Sequence, residues 1–550
     1  MVNPDVVPDD FPAWMHPRQR GIHWGLLIAA LIGLAVGWAF FVRPGIPAIT
    51  TGTHVGFMAS DFASTLREGA PVPIWSPHAQ NGYGAPIPQF TPQGAAYLTA
   101  LMEVFFTDST SEALRFVMLA ALVGAGVGMC SLTSAWGLHW GIVAAALYVL
   151  SPFVGLTAPH LLADPSLMLA HAFLPALMWI ATQLRRGEKQ SLVLAGSGVL
   201  GVFSFIEPHV AVMGWLGGLV LLLLTGGRGA LMNWFGIGLA GLGISAPLWL
   251  PALMLSSEVT WLPSAQPSPF NISVWDWLTP VRTPTAIPQF TLGLLLPLMM
   301  AAAWVYRLRW GERWPLLTVG TLGLGSAALG CWLFPATWWL SVGSFWAAAG
   351  GAGALAILDR WIRPDRRNWA KISATASLFA VSLSVLATPF GATTTDFSTA
   401  AQLRYEQRTG STALLPSGQA IPSALAVVPA ANPLLLHSYE SGTVNRIPMA
   451  GGARVSVLQV SSQSNVWQVG MVAGGTLPVS IAYFPGWSAT LDEIPVPVER
   501  QAESGLIQVK LTPTANGTLR IQLGLTPPQI VAWLAVIFTG MALGIYVRKP

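Results

Sequence analysis

Three carboxylates stand out in a chain where only 9% of the 550 residues are charged. Asp61 lies in "THVGFMASDFASTLREG" (53–69), Asp164 in "APHLLADPSLMLAHAFLPALMW" (158–179), and Glu207 in "FIEPHVAV" (205–212). A positioned carboxylate can take a proton from a hydroxyl that is becoming a nucleophile. Histidines accompany two of them. His54 shares a helical face with Asp61, because positions 54, 58, 61 and 65 recur at the spacing of one face, and His209 follows Glu207 across a short turn. Each also has a structural reading. Asp61 could be a solvated or capping carboxylate, His54 a membrane-surface residue packed on Phe57 or Met58, and Asp164-Pro165 an ordinary helix start. Glu207 and His209 also fit a capped turn at a lipid interface.

The elements that would position these groups are membrane spans. With 53% hydrophobic residues the chain reads as an integral membrane protein, since soluble domains are nearer a quarter charged. Apolar runs predict twelve spans, at about 22–41, 112–134, 138–156, 166–183, 190–206, 209–225, 230–255, 288–306, 315–334, 336–358, 369–389 and 527–546. With the N-terminus inside, the inner loops, arm and tail carry 16 of the 27 basic residues, as the positive-inside rule requires. The net charge of +4 therefore reports orientation rather than nucleic acid. The first span reads as an uncleaved anchor, and the multi-pass chain is expected in a bacterial inner membrane with both termini cytoplasmic. Cys130 and Cys331 fall within spans and form no metal-type or disulfide framework. Walker A, GxGxxG after a strand, HExxH and GxSxG are all missing, so ATP-driven transport and cofactor redox chemistry have no support.

The domain reading is a cytoplasmic arm (1–21), an all-α transmembrane bundle (22–389), an extracytoplasmic mostly-β domain resembling a small sandwich (390–526), and a last span with its tail (527–550). Outer loops occupy 42–111 and 257–287. Within 390–526, short alternating runs separated by Pro, Gly, Asn and Asp predict antiparallel strands, with Asn516-Gly517 as a hairpin turn. In the first outer loop, "PVPIWSPHAQNGYGAPIPQFTPQGAAYLTAL" joins two predicted amphipathic pieces, 53–69 and 93–106.

That loop, with Pro73, Trp75, Gly82, Tyr83, Gly84, Pro86, Phe90, Pro92 and Tyr97, resembles the first outer loop of the GT-C superfamily of polytopic glycosyltransferases. The pattern is most similar to that of YfhO-like bacterial membrane proteins. "YFPGWSATLDEIPVPV" (483–498) resembles the Tyr-Pro-Gly-Trp strand motif of their C-terminal outer domain. The resemblance implies transfer of a sugar from a polyprenyl-phosphate donor to a lipid, glycan or polymer acceptor on the outer face. It implies Asp61, Asp164 and Glu207 as catalytic carboxylates. His54, Trp75, Tyr83, His209, Trp275, Trp277 and Arg282 are then the residues that meet substrate, with Arg43, Arg67 and Arg115 as further cations for phosphate. It indicates no resident cofactor and leaves room for a divalent metal and for a protein partner. One departure is plain: the family's acid lies four residues before its His, and here that position is Thr50. A non-catalytic scaffold or assembly subunit of the same fold is the alternative, and a lipid or glycan transporter ranks lower without an inverted repeat.

Overall fold

The computed structural model describes residues 24–42, 44–47, 51–151, 153–187, 190–225, 227–263, 315–333, 338–361, 393–415, 418–425, 428, 430–441, 444–447, 454–470, 475–512 and 515–548. The spans expected at 288–306 and 369–389 lie outside them, as do Arg43, Trp275, Trp277 and Arg282.

The chain is mostly helical, with a strand-rich C-terminal region. Among the described residues, five helices are long and apolar enough to cross a membrane: Thr110–Thr133, Leu138–His160, Pro165–Arg185, Pro208–Thr225 and Pro527–Arg548. A sixth span forms if Arg228–Ile244 and Ala246–Met254, bent by 62°, count as one. Pro247 accounts for the break: it opens the second piece and lacks the N–H that a continuous helix needs there. Small residues let the helices close up. A Cβ on Gly33 would strike the backbone of Leu122 and Val123, and one on Gly126 the carbonyl of Ala29. Trp215 and Trp234 exchange indole N–H bonds to each other's carbonyls at 3.3 and 3.0 Å, which pins Pro208–Thr225 to Arg228–Ile244.

Outside the bundle, helix α1 (Thr51–Arg67) ends at Gly69, whose φ of +85° suits glycine. The second amphipathic piece forms helix Gly94–Met102, followed by a wider turn at Glu103–Thr107. Between them the Pro/Gly loop folds back on itself through a Ser76–Ala85 bridge.

The expected mostly-β domain has a helical approach. Helices α2 (Thr399–Thr409) and α3 (Pro433–Glu440) precede the strands, with Ser398 and Asn432 as their N-caps. Two antiparallel sheets follow. In the larger, the order is Arg454–Val460, Ser464–Gly470, Asn516–Leu523, Trp487–Leu491, Ile494–Val496. In the smaller it is Val498–Arg500, Leu506–Lys510, Thr476–Ala482. Inward residues of both, among them Trp467, Val479, Ile507 and Ile521, belong to one continuous core. The Asn516-Gly517 hairpin expectation is corrected: both residues pair within a strand, opposite Gly470 and Val469. The tight turn is Asp492-Glu493, with φ of 47° and 67°, between Trp487–Leu491 and Ile494–Val496. Gly517 is glycine because a Cβ there would strike the Asp492 carboxylate, which accepts Thr518 N–H at 2.7 Å.

Candidate functional site

The three carboxylates separate into two places. Asp61 belongs to a buried joint between α1, the Pro/Gly loop and the C-terminal region. Its Oδ1 lies 2.5 Å from His78 Nδ1, its Oδ2 has no hydrogen-bond partner among the described residues, and it is 3% exposed. Around it the loop is held by side chains from much later in the chain. Arg446 donates to Gly82 O (2.8 Å), Pro77 O (3.0 Å) and Tyr439 Oη (2.7 Å). Glu406 accepts Asn81 N–H at 2.7 Å, and also accepts Ala413 N–H and the Thr412 hydroxyl. Gln80 and Tyr83 donate to the carbonyls of Ala420 and Ala430.

Trp75 and Tyr83, expected to meet substrate, are components of this joint. Trp75 is 1% exposed, and its ring packs edge-on against Trp487 at 5.4 Å and beside Phe484 at 6.1 Å. Phe484 also meets Phe90. The loop motif and the Tyr-Pro-Gly-Trp strand motif, some 400 residues apart, are thus two halves of one aromatic contact. Gly84 completes it: with φ +83°, it lets the indole lie where a Cβ would be. His54 also faces this side. Its Nδ1–H donates to Ala413 O at 2.7 Å and its ring meets Tyr405 edge-on. Burial lowers its pKa, partly offset by that carbonyl, so it sits there as a neutral imidazole.

Burial pushes the Glu406 carboxyl up to about 7, against its N–H and hydroxyl donors, and the Asp61 charge adds to the rise. The ordinary value is 4.5, so the folded state holds this proton more tightly than the unfolded chain. The stability it contributes is complete below pH 4.5 and is lost as pH rises towards about 7. Glu406→Gln is therefore expected to flatten the fall in unfolding temperature across that window. An unchanged slope would show that the carboxyl does not titrate there.

The second place is the end of the bundle facing α1. A Cβ on Gly52 would lie 2.3 Å from the Ala163 carbonyl, which puts the start of α1 beside Asp164. Asp61 is nine residues further along, about 13 Å at 1.5 Å per residue, so the two acids serve different surroundings. Asp164 Oδ1 caps helix Pro165–Arg186 by accepting Ser166 and Leu167 N–H at 2.9 and 3.1 Å. The capping expectation and the functional one meet in one residue. Burial, then the nearby Glu207 charge, raise its carboxyl to about 7 even though both N–H bonds pull the other way. Glu207 Oε1 bonds His209 Nδ1 at 3.1 Å, and the exposed His209 ring stacks on Trp338 at 5.4 Å and 15°. Glu207, His209 and Trp338 form one acid–aromatic group, and the Glu207 charge is felt at Asp164.

The cations are distributed differently. Arg67 pairs with Glu103 at 3.0 Å, Arg115 donates to Phe40 O at 3.1 Å, and Arg446 sits in the joint. Among the described residues no group of three or more His, Cys, Asp or Glu is placed to hold a metal ion. Four residues escaped sequence reading: His78, Glu406, Tyr439 and Arg446. His78 stood in the quoted loop and could have been flagged as its sole histidine. Arg446 had little local signal, since two of its three acceptors, Gly82 O and Pro77 O, lie more than 360 residues away. No protein-family model matches the chain, and no curated protein matches it.

Proposed function

We propose that the chain is an outward-facing membrane glycosyltransferase with Asp164 and Glu207 at its reactive centre. The carrying observation is the acid pair at the bundle's end: Asp164, proton-hungry near neutral pH through burial and the Glu207 charge, lies just outside a span. That is the state in which a carboxylate works as a base at physiological pH. In a single displacement, Asp164 takes the acceptor hydroxyl's proton as its oxygen bonds to the anomeric carbon. The bond from that carbon to the phosphate oxygen breaks, and polyprenyl phosphate leaves with the electron pair. Glu207, held by His209, keeps the Asp164 proton affinity high. The resemblance of the outer loop and the strand motif to GT-C proteins supplies the donor class. The twelve-span topology with both termini inside, and placement in a bacterial inner membrane, belong to the same proposal. The test is release of polyprenyl phosphate from a polyprenyl-phosphate sugar by the protein in proteoliposomes, with Asp164→Asn and Glu207→Gln beside it. Equal release by all three would end the catalytic reading.

A second reading, a non-catalytic scaffold, is favoured by one observation: Asp61, Trp75 and Tyr83 are all engaged in the joint between bundle and strand region. A scaffold would co-purify with the same protein partner whether or not Asp164 is replaced.

A further inference from the structure

A cavity of about 180 Å³ opens at the first turn of the span Thr110–Thr133, lined by Phe40, Glu112, Arg115, Phe116 and Leu119. It is smaller than the ~300 Å³ at which pockets for drug-sized ligands begin, which suits a headgroup whose chains remain outside. Its place at the end of a span is the depth of lipid headgroups, where Arg and aromatic residues gather. The turn just before it, Glu103–Thr107, presents Phe105 and Phe106, 70% and 76% exposed, as an apolar shoulder. Phe40, Phe116 and Leu119 give the cavity apolar walls, and its charges come as one pair. Arg115 Nη2 and Glu112 Oε1 stand 3.9 Å apart, one helical turn from each other on one face. That is an ion pair beyond hydrogen-bond length; Arg115 Nη1 also donates to Phe40 O at 3.1 Å, and both charged groups line the same opening. A cation alone would suit any phosphate. A carboxylate beside it repels an anion and attracts an ammonium.

We propose that this cavity seats the phosphoethanolamine headgroup of a phospholipid, with the phosphate on the Arg115 guanidinium and the ammonium on the Glu112 carboxylate. Acyl chains then run along Phe116 and Leu119. The seat does not depend on sugar transfer and would hold equally in a scaffold.

The full-length protein in nanodiscs is examined by native mass spectrometry against phosphatidylethanolamine, phosphatidylglycerol and phosphatidylcholine of identical chains, and against polyprenyl phosphate. Phosphatidylethanolamine should be retained about tenfold over both other phospholipids, the size of one charge-assisted hydrogen bond. Glu112→Gln should bring it down to the phosphatidylglycerol level, and Arg115→Gln should lose both. Should Arg115→Gln fail to fold, the ranking in the unmodified protein and in Glu112→Gln decides. Equal or stronger retention of phosphatidylglycerol, or an unchanged ranking in Glu112→Gln, overturns the proposal. Displacement by polyprenyl phosphate would also overturn it and reassign the cavity to a lipid phosphate monoester.

Discussion

Asp164→Asn is expected to lower sugar transfer by about 10²–10⁴-fold, the usual contribution of a positioned general base. The amide keeps an oxygen for the Ser166 and Leu167 N–H groups, so the cap of the span survives while the proton acceptor is lost. The pH profile makes the prediction specific. With the carboxyl at about 7, the base is ionised above that value, so the rate of the unmodified protein should rise with pH through about 7 and level off. Glu207→Gln removes the charge that helps hold the Asp164 proton, so the same rise should move to lower pH. A merely structural role for Glu207 would change the amount of active protein without moving the midpoint. Rates of polyprenyl phosphate release between pH 5 and 9 for the three proteins separate these outcomes. A midpoint that stays in place in Glu207→Gln would break the coupling on which the site is built.

Local features of this fold were legible in the sequence, and features built by distant partners were not. Helix α1, its Gly69 stop and the Asp164-Pro165 helix start all follow from neighbouring residues, and each appears where the spacing predicts it. The apolar runs read correctly as helices wherever the residues are described, although only five or six of them meet the length and hydropathy of a span. The Asn516-Gly517 turn shows the limit. Asn-Gly favours a hairpin by itself, but here the strand runs straight through and the glycine serves the Asp492 carboxylate across the sheet. The candidate site shows it more strongly. Asp61 and His54 share a helix face as their spacing requires, yet their partners come from elsewhere: His78 from the loop for Asp61, and Ala413 and Tyr405 for His54. The uncharged aromatic loop next to the first span is covered by the C-terminal region, which suits its lack of charge.

That cover depends on one cation. Arg446→Met is expected to destabilise the joint by about 1–3 kcal/mol for each buried acceptor left without its donor. Methionine fills the volume of the aliphatic stem but leaves Gly82 O, Pro77 O and the Tyr439 hydroxyl without the guanidinium donor. It also strips the positive charge from a region where Asp61 and Glu406 both act on Tyr439. Arg446→Lys should recover only part of the loss, because one ammonium lacks the planar fork that reaches three acceptors in different directions. Arg446 ties the Pro/Gly loop to the C-terminal region and does not bind the helices to one another, so the expected sign is separation before unfolding. Protease should cut between the bundle and the strand region at temperatures where the helices are intact, and a lower first transition should appear in thermal scans. If Arg446→Met unfolds in one transition at the temperature of the unmodified protein, the loop is held by its other contacts and the Arg446 hydrogen bonds contribute nothing. If the joint loosens while transfer at Asp164 continues, the two carboxylate groups act independently.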